Sequence, residues 1–167
     1  MVNLSKFLIL LKRGEIKLAR VIGEFKGKNF FLSNFFMIGS WSVEHEFQAS
    51  KTTNMTLQKL ILYCEKPSIA KELGNAVRLR KDWNQIKDKI MEEALIKKFT
   101  TKATLARLPL KQMLLDTGDA ILIEGNKWHD NYWGDCLCLR CKQIDAINRL
   151  GQLLMKVRNM LKNGEIE

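Results

Sequence analysis

The chain has 167 residues, 46% of them hydrophobic and 28% charged, which is the length and composition of one folded domain with a buried core. No apolar run is long enough to span a membrane. The 28 Lys and Arg outnumber the 18 Asp and Glu to give a net charge of +10, a balance that suits an anionic partner.

The apolar run Phe7 to Leu11 has no small-residue cleavage site after it and reads as a packed strand or the start of a helix. From about Ile16 to Phe36 apolar and polar residues alternate loosely around Gly23 and Gly27, the pattern of short strands and turns. Ser42 is the N-cap of a helix running from Val43 towards Asn54, and a second helix covers Thr56 to Glu65. Pro67 fits the first turn of a third helix and Gly74 its C-terminal stop. Asp82 then caps a longer helix whose apolar face carries Trp83, Ile86, Ile90, Ala94 and Leu95. Thr104 to Leu115 is helical with a break at Pro109. Ile121 to Glu124 is short and β-branched, and Gly125 to Gly134 is a polar, aromatic loop. Ile147, Leu150, Leu154, Val157 and Leu161 step along the last helix. The fold class is mainly α with a small β element near the N-terminus, in a single domain over residues 1–167.

Several segments carry both a structural and a chemical reading. Phe30 to Phe36 places four aromatics around Ser33-Asn34, as a core strand followed by a turn would, yet the Asn34 amide also suits a base edge or a ribose hydroxyl. Glu44, in the first turn of its helix, answers the helix dipole. It also shares a face with Gln48 and Lys51, an acid, an amide and a cation in a row. His45 lacks any paired-histidine spacing and reads as a core or helix-end residue. Arg78, Arg80 and Lys81 gather before the Asp82 cap, where cations and helix amides can hold a phosphate. Trp83 beside them can stack on a base or join the core.

Trp128 to Asp135 is rich in aromatic and acidic residues; Asp130 fits an Asx turn, and Gly134 lets backbone approach a ligand closely. Asn148 opens the last helix, and Gly151 inside it costs roughly 1 kcal/mol against alanine, which implies tight packing or a ligand against the backbone. Glu44 and Asp135, two carboxylates among aromatics and glycine in a cationic chain, suit acid–base chemistry on an anionic sugar.

Cys136, Cys138 and Cys141 crowd together while Cys64 stands apart. No secretion signal accompanies them, so free thiols in a reducing cytoplasm are expected rather than disulfides. The three thiols are unevenly spaced with no matching second half, and a fourth zinc ligand would have to be Cys64 or a histidine from elsewhere. The expectation is no metal.

Taken in order, these motifs resemble the YbiA-like, or NADAR, family of N-glycosidases over about Phe25 to Lys162. The resemblance runs through Phe31-Leu32-Ser33-Asn34-Phe35, then Ser42-Val43-Glu44-His45 with Phe47-Gln48-Ala49 and Lys51. It continues through Arg80-Lys81 with Trp83, Lys87, Met91, Ala94, Lys98 and Phe99, and through Leu114-Leu115, Thr117-Gly118 and Leu122 with Glu124. Asp130 with Tyr132-Trp133-Gly134-Asp135, and Asn148-Arg149-Leu150-Gly151 with Leu154-Met155 and Arg158, complete it. It differs at Glu46, where the family tends to have an aromatic. It differs again from Cys136 to Ile147, a glycine-free stretch where the family has a shorter, glycine-rich one.

The resemblance implies a YbiA-like fold and hydrolysis of an N-glycosidic bond with no metal or cofactor. Glu44 and Asp135 are then the catalytic carboxylates, one stabilising an oxocarbenium-like ribosyl centre or activating water and the other positioning water or ribose hydroxyls. Arg78, Arg80, Lys81 and Lys51 hold phosphates, and Trp83 or Trp133 stacks on the leaving group. Asn34, Gln48, Asp130, Gly134, Asn148 and Gly151 complete the substrate contacts. The expected substrate is a phosphorylated ribosyl conjugate, foremost ADP-ribose on guanine in DNA or RNA. Phosphoribosylated riboflavin-pathway intermediates are the alternative, and a non-catalytic nucleotide- or nucleic-acid-binding module a third reading. No membrane and no obligate protein partner is expected.

Overall fold

The structure, a computed structural model, describes residues 9–12, 15–18, 20–141 and 143–167. Phe7 and Leu8 lie outside the described residues. The rest of that apolar run enters β1 (Ile9–Lys12), which pairs antiparallel with β2 (Glu15–Leu18), Ile9 facing Leu18. β3 (Val21–Ile22) takes a partner from far along the chain. It runs parallel to β4 (Ile121–Leu122), with Ile22 beside Leu122. A third pair, also parallel, joins β5 (Gly125–Asn126) to β6 (Asp135–Cys136).

The Phe30 to Phe36 segment is not a strand. Gly27–Leu32 winds as a 3-10 helix and the chain then turns, with Ser33 N–H donating to the Phe30 carbonyl at 3.0 Å and Phe36 N–H to the Ser33 carbonyl at 3.1 Å. The Lys98 ammonium, wholly buried, fixes the turn by donating to the Ser33 carbonyl at 2.8 Å. Closely spaced local bonds leave no ladder for a strand.

α1 (Val43–Ala49) starts at Ser42, whose hydroxyl accepts from His45 N–H. It stops short of Asn54 because Asn54 caps the next helix, accepting from the Thr56 and Leu57 amides at 3.0 and 3.1 Å. α2 is Met55–Leu62 and α3 Pro67–Ala76, with Pro67 in its first turn as expected. Gly74 is not the stop of α3. It lies inside the helix, where a β-carbon would collide with the Gln48 side chain, so glycine lets α3 press against α1. α4 (Trp83–Thr100) begins after Asp82, but the Asp82 carboxylate caps nothing; Arg80 holds it through contacts of 2.6 and 3.0 Å. α5 (Ala103–Ala106) and α6 (Leu110–Leu115) flank the break at Pro109.

α7 (Arg149–Lys162) buries Leu150, Leu154, Val157 and Leu161 of the predicted stripe; Ile147 precedes the helix and is exposed. The core lies between α4, α6, α7 and the β3–β4 pair, where Leu95, Phe99, Leu110, Leu114, Leu122, Leu154 and Val157 have no exposed surface. Each such leucine contributes about 1.5–3 kcal/mol through burial. Among the described residues no helix is long and apolar enough to cross a membrane.

Candidate active site

A cavity of about 340 Å³ opens where α1, α3 and α4 meet the loop between β5 and β6. Its wall includes Asn34, Glu44, Gln48, Lys51, Trp83, Asp130 and Trp133, seven residues that the sequence singles out. Lys71, Lys87, Asn75, Glu124, Asn126, Trp128 and Tyr132 stand beside them.

α1 presents Glu44 and Gln48 one turn apart, and the Gln48 amide donates to the Glu44 carboxylate at 2.7 Å. Burial raises the Glu44 pKa above its ordinary value; Gln48, Lys71 and Lys51 pull it back, and Asp130 pushes it further up. His45, next in sequence, faces away from this work. Its Nε2 lies 3.1 Å from the Cys64 carbonyl, which can only accept, so Nε2 carries the proton and Nδ1 accepts from the Ser42 hydroxyl at 2.7 Å.

Glu124 is the second acid on the wall. Burial raises its pKa to about 7, Asp130 adds to the rise, and Lys98, Lys26 and Lys71 oppose it. Asp130 makes the Asx-type turn expected of it, accepting from Tyr132 N–H at 3.1 Å and Trp133 N–H at 2.8 Å. Phe47 sits between Trp83 and Trp133, with centroids 5.0 and 5.1 Å away, and fixes both indoles.

Three buried side-chain oxygens have no hydrogen-bond partner among the described residues: Asn34 Oδ1, Gln48 Oε1 and Glu124 Oε2. All three residues line this one cavity, although Gln48 Oε1 itself lies against Gly74 of α3. Buried polar oxygens left unpaired are costly and uncommon, and those of Asn34 and Glu124 on one cavity wall suit ribose hydroxyls, which can both donate and accept.

The remaining predicted contacts lie off the cavity wall. Arg78, Arg80 and Lys81 do not line it, and Arg80 is committed to Asp82. The lining cations are Lys51, Lys71 and Lys87; Lys87 lies 3.8 Å over the Tyr132 ring, and Lys71 sits between Phe35 and Trp128. Asp135 is buried on β6, and its amide donates to the Glu124 carbonyl at 2.8 Å, but the residue does not line the cavity. Gly134 admits that same carbonyl where a β-carbon would collide with it. Asn148, in the left-handed region at φ 52°, accepts from Glu124 N–H at 3.0 Å and donates to the Leu122 carbonyl at 2.8 Å. Gly151 lets α7 approach the Leu122 carbonyl; this is packing, not ligand contact. Gly134, Asp135, Asn148 and Gly151 thus form a clamp around Leu122 and Glu124.

Sequence reasoning missed Glu124, Lys71 and Lys87 as wall residues. Glu124 follows the short β-branched run, and no local spacing marks it as chemical. Lys71 is one lysine on an amphipathic helix, indistinguishable by pattern from a solvated one.

Residues 30–162 match the NADAR domain. The N-glycosidase Npun_R5314 of Nostoc punctiforme is 37% identical over 73% of this chain and 74% of its own. The N-glycosidase YbiA of Escherichia coli is 36% identical over 71% of this chain and 68% of its own. The NMR structure of E. coli YbiA superposes with a TM-score of 0.70 over 92% of both chains at 30% identity. The riboflavin biosynthesis protein VVA0006 of Vibrio vulnificus is 33% identical over 79% of this chain but only 35% of its own length.

Proposed function

The chain belongs to the NADAR family, and from that membership we propose that the cavity is the active site of a hydrolase that cleaves the bond between C1 of a phosphorylated ribosyl group and a nitrogen. The observation that carries this reading is the pair of unpaired buried oxygens on Asn34 and Glu124, on the wall of the one cavity that Glu44 also lines. They match a sugar's hydroxyls, while Lys51, Lys71 and Lys87 suit its phosphates. Trp83 and Trp133 offer aromatic faces to a planar leaving group.

The two glutamates divide the work by environment. Glu44 accepts from the Gln48 amide at 2.7 Å, a contact that favours its ionised form, and on that geometry it takes the role of the carboxylate. Glu124, with its pKa raised to about 7, keeps its proton up to near-neutral pH and can act as the acid there. As the C1–N bond breaks, the leaving nitrogen takes the Glu124 proton and keeps the bonding pair. The sugar becomes oxocarbenium-like, Glu44 stabilises that charge and accepts a proton from water, and the water oxygen bonds to C1. The Asp135 amide holds the Glu124 backbone from behind the cavity wall.

For substrate we favour ADP-ribose on guanine in nucleic acid, supported by the net charge of +10 and by the cations Arg78, Arg80 and Lys81 outside the cavity. The second reading, a phosphoribosylated riboflavin-pathway intermediate, draws on the name of the Vibrio vulnificus relative. Parallel incubations with an ADP-ribosylated guanine oligonucleotide and a phosphoribosylaminopyrimidine, assayed for the released sugar phosphate, test both. Release from the oligonucleotide alone supports the first reading, and release from the pyrimidine alone the second. Release from neither removes both.

A further inference from the structure

A second cluster of reactive side chains lies outside the cavity, at the end of the β5–β6 pair. His129, Cys136, Cys138 and Cys141 bring one imidazole nitrogen and three sulfurs within 4.8 Å of one another. We propose that these four residues form a closed, four-coordinate structural zinc site.

The geometry supports a metal over a hydrogen-bonded cluster. The Sγ atoms of Cys138 and Cys141 both stand 3.3 Å from the same His129 Nδ1. A ring nitrogen has one proton or one lone pair, so it cannot bond both sulfurs well. Two sulfurs equally close to one nitrogen are instead two edges of a coordination tetrahedron. With Zn–S about 2.3 Å and Zn–N about 2.0–2.1 Å, N···S edges measure roughly 3.5–3.6 Å, so a small outward shift of the two sulfurs from 3.3 Å admits the ion.

The backbone is already arranged for this. Cys138 and Cys141 bracket a turn closed by Cys141 N–H donating to the Cys138 carbonyl at 3.2 Å. Cys136 is held on β6, its amide donating to Asn131 Oδ1 at 3.0 Å. His129 takes φ 66°, a conformation that non-glycine residues adopt at a cost. The fourth ligand that the three thiols lack in sequence is therefore a histidine from the loop in front of them, and the site replaces the expected free thiols.

Three soft thiolates and an imidazole select zinc. Four protein ligands fill the tetrahedron and leave no position for water or substrate, so the role is to hold structure. Binding takes one Zn²⁺, forms three Zn–S bonds and one Zn–N bond, and releases the protons of whichever thiols are still protonated. His129 lies between Trp128 and Asp130, both on the cavity wall. The metal would tie that wall to the segment leading into α7, whatever the substrate.

The test uses the full chain, purified reduced. About one zinc per chain is expected in the isolated protein. After chelation, Co²⁺ should give the thiolate charge-transfer and ligand-field bands of a tetrahedral sulfur-rich site, and Zn²⁺ should bleach them. Cys138→Ser, at a half-exposed position, and His129→Ala should each weaken zinc binding beyond the ~10–100-fold typical of outer-shell changes. Cys64→Ser should bind as the parent does. Zinc should also slow amide exchange across residues 127–141. The proposal is overturned if the reduced chain takes up neither metal. It is equally overturned if both ligand variants bind as tightly as the parent, or if Cys64→Ser abolishes binding.

Discussion

Glu44 and Glu124 show how neighbours separate two acids of the same kind. Both are buried enough for their pKa values to rise, but only Glu44 has an amide donor from Gln48. Glu44→Gln keeps the shape and removes the charge. Its turnover should fall by roughly 10²–10⁴-fold with the melting temperature unchanged or higher, because a buried charge is lost. Near-parental turnover in a folded variant would remove Glu44 from the mechanism. Glu124 moves from its ordinary 4.5 to about 7 on folding. An acid with that value should make kcat/KM decline as pH rises through about 7, and Glu124→Gln should lack that limb. The sign for stability follows from the same shift. Between pH 4.5 and 7 the folded chain binds the Glu124 proton more tightly than the unfolded chain. Stability from this group is complete below 4.5 and is lost as pH rises to about 7, so melting curves of Glu124→Gln should show a shallower decline over that window.

The β4–α7 junction carries an argument that no single residue does. Asn148 bonds both the Glu124 amide and the Leu122 carbonyl, while Gly134 and Gly151 clear space for the carbonyls of Glu124 and Leu122. Gly151→Ala should cost about 1–3 kcal/mol through overpacking, measured by denaturant unfolding. An unchanged midpoint would mean that α7 can shift freely. Asp135→Asn separates positioning from chemistry. The substitution keeps the backbone amide that holds Glu124, so positioning through that bond alone predicts near-parental kcat. A loss as deep as that of Glu44→Gln would put Asp135 among the reacting groups.

Charge acts at the scale of the whole molecule. From Lys71 to Lys111 basic residues outnumber acidic ones, whereas Gln112 to Leu139 has a single lysine, Lys127. The cavity brings the two stretches together, Lys71 and Lys87 facing Glu124 and Asp130 across it. A nucleic-acid substrate should therefore bind with a steep salt dependence, and removing Arg78 and Lys81 together should lower the slope of log K against log salt by about two. A slope unaffected by that double change would confine recognition to the cavity and favour the small phosphoribosyl substrate.

Much of this molecule was fixed by local chemistry. Ser42 and Pro67 start helices wherever the rest of the chain goes, and the α7 stripe at Leu150, Leu154, Val157 and Leu161 must be buried by something. Glu44 and Gln48 share a wall because helical spacing alone puts them on one face of α1, and Lys51 joins them from the turn just after it. The tertiary structure decided the rest. Phe30 to Phe36 became a 3-10 turn because a lysine more than sixty residues away holds its carbonyl. Glu124 came onto the cavity wall that Glu44 also lines, and His129 met three cysteines across a loop. Such meetings depend on which distant backbones pack together, and period and spacing describe only neighbours along the chain.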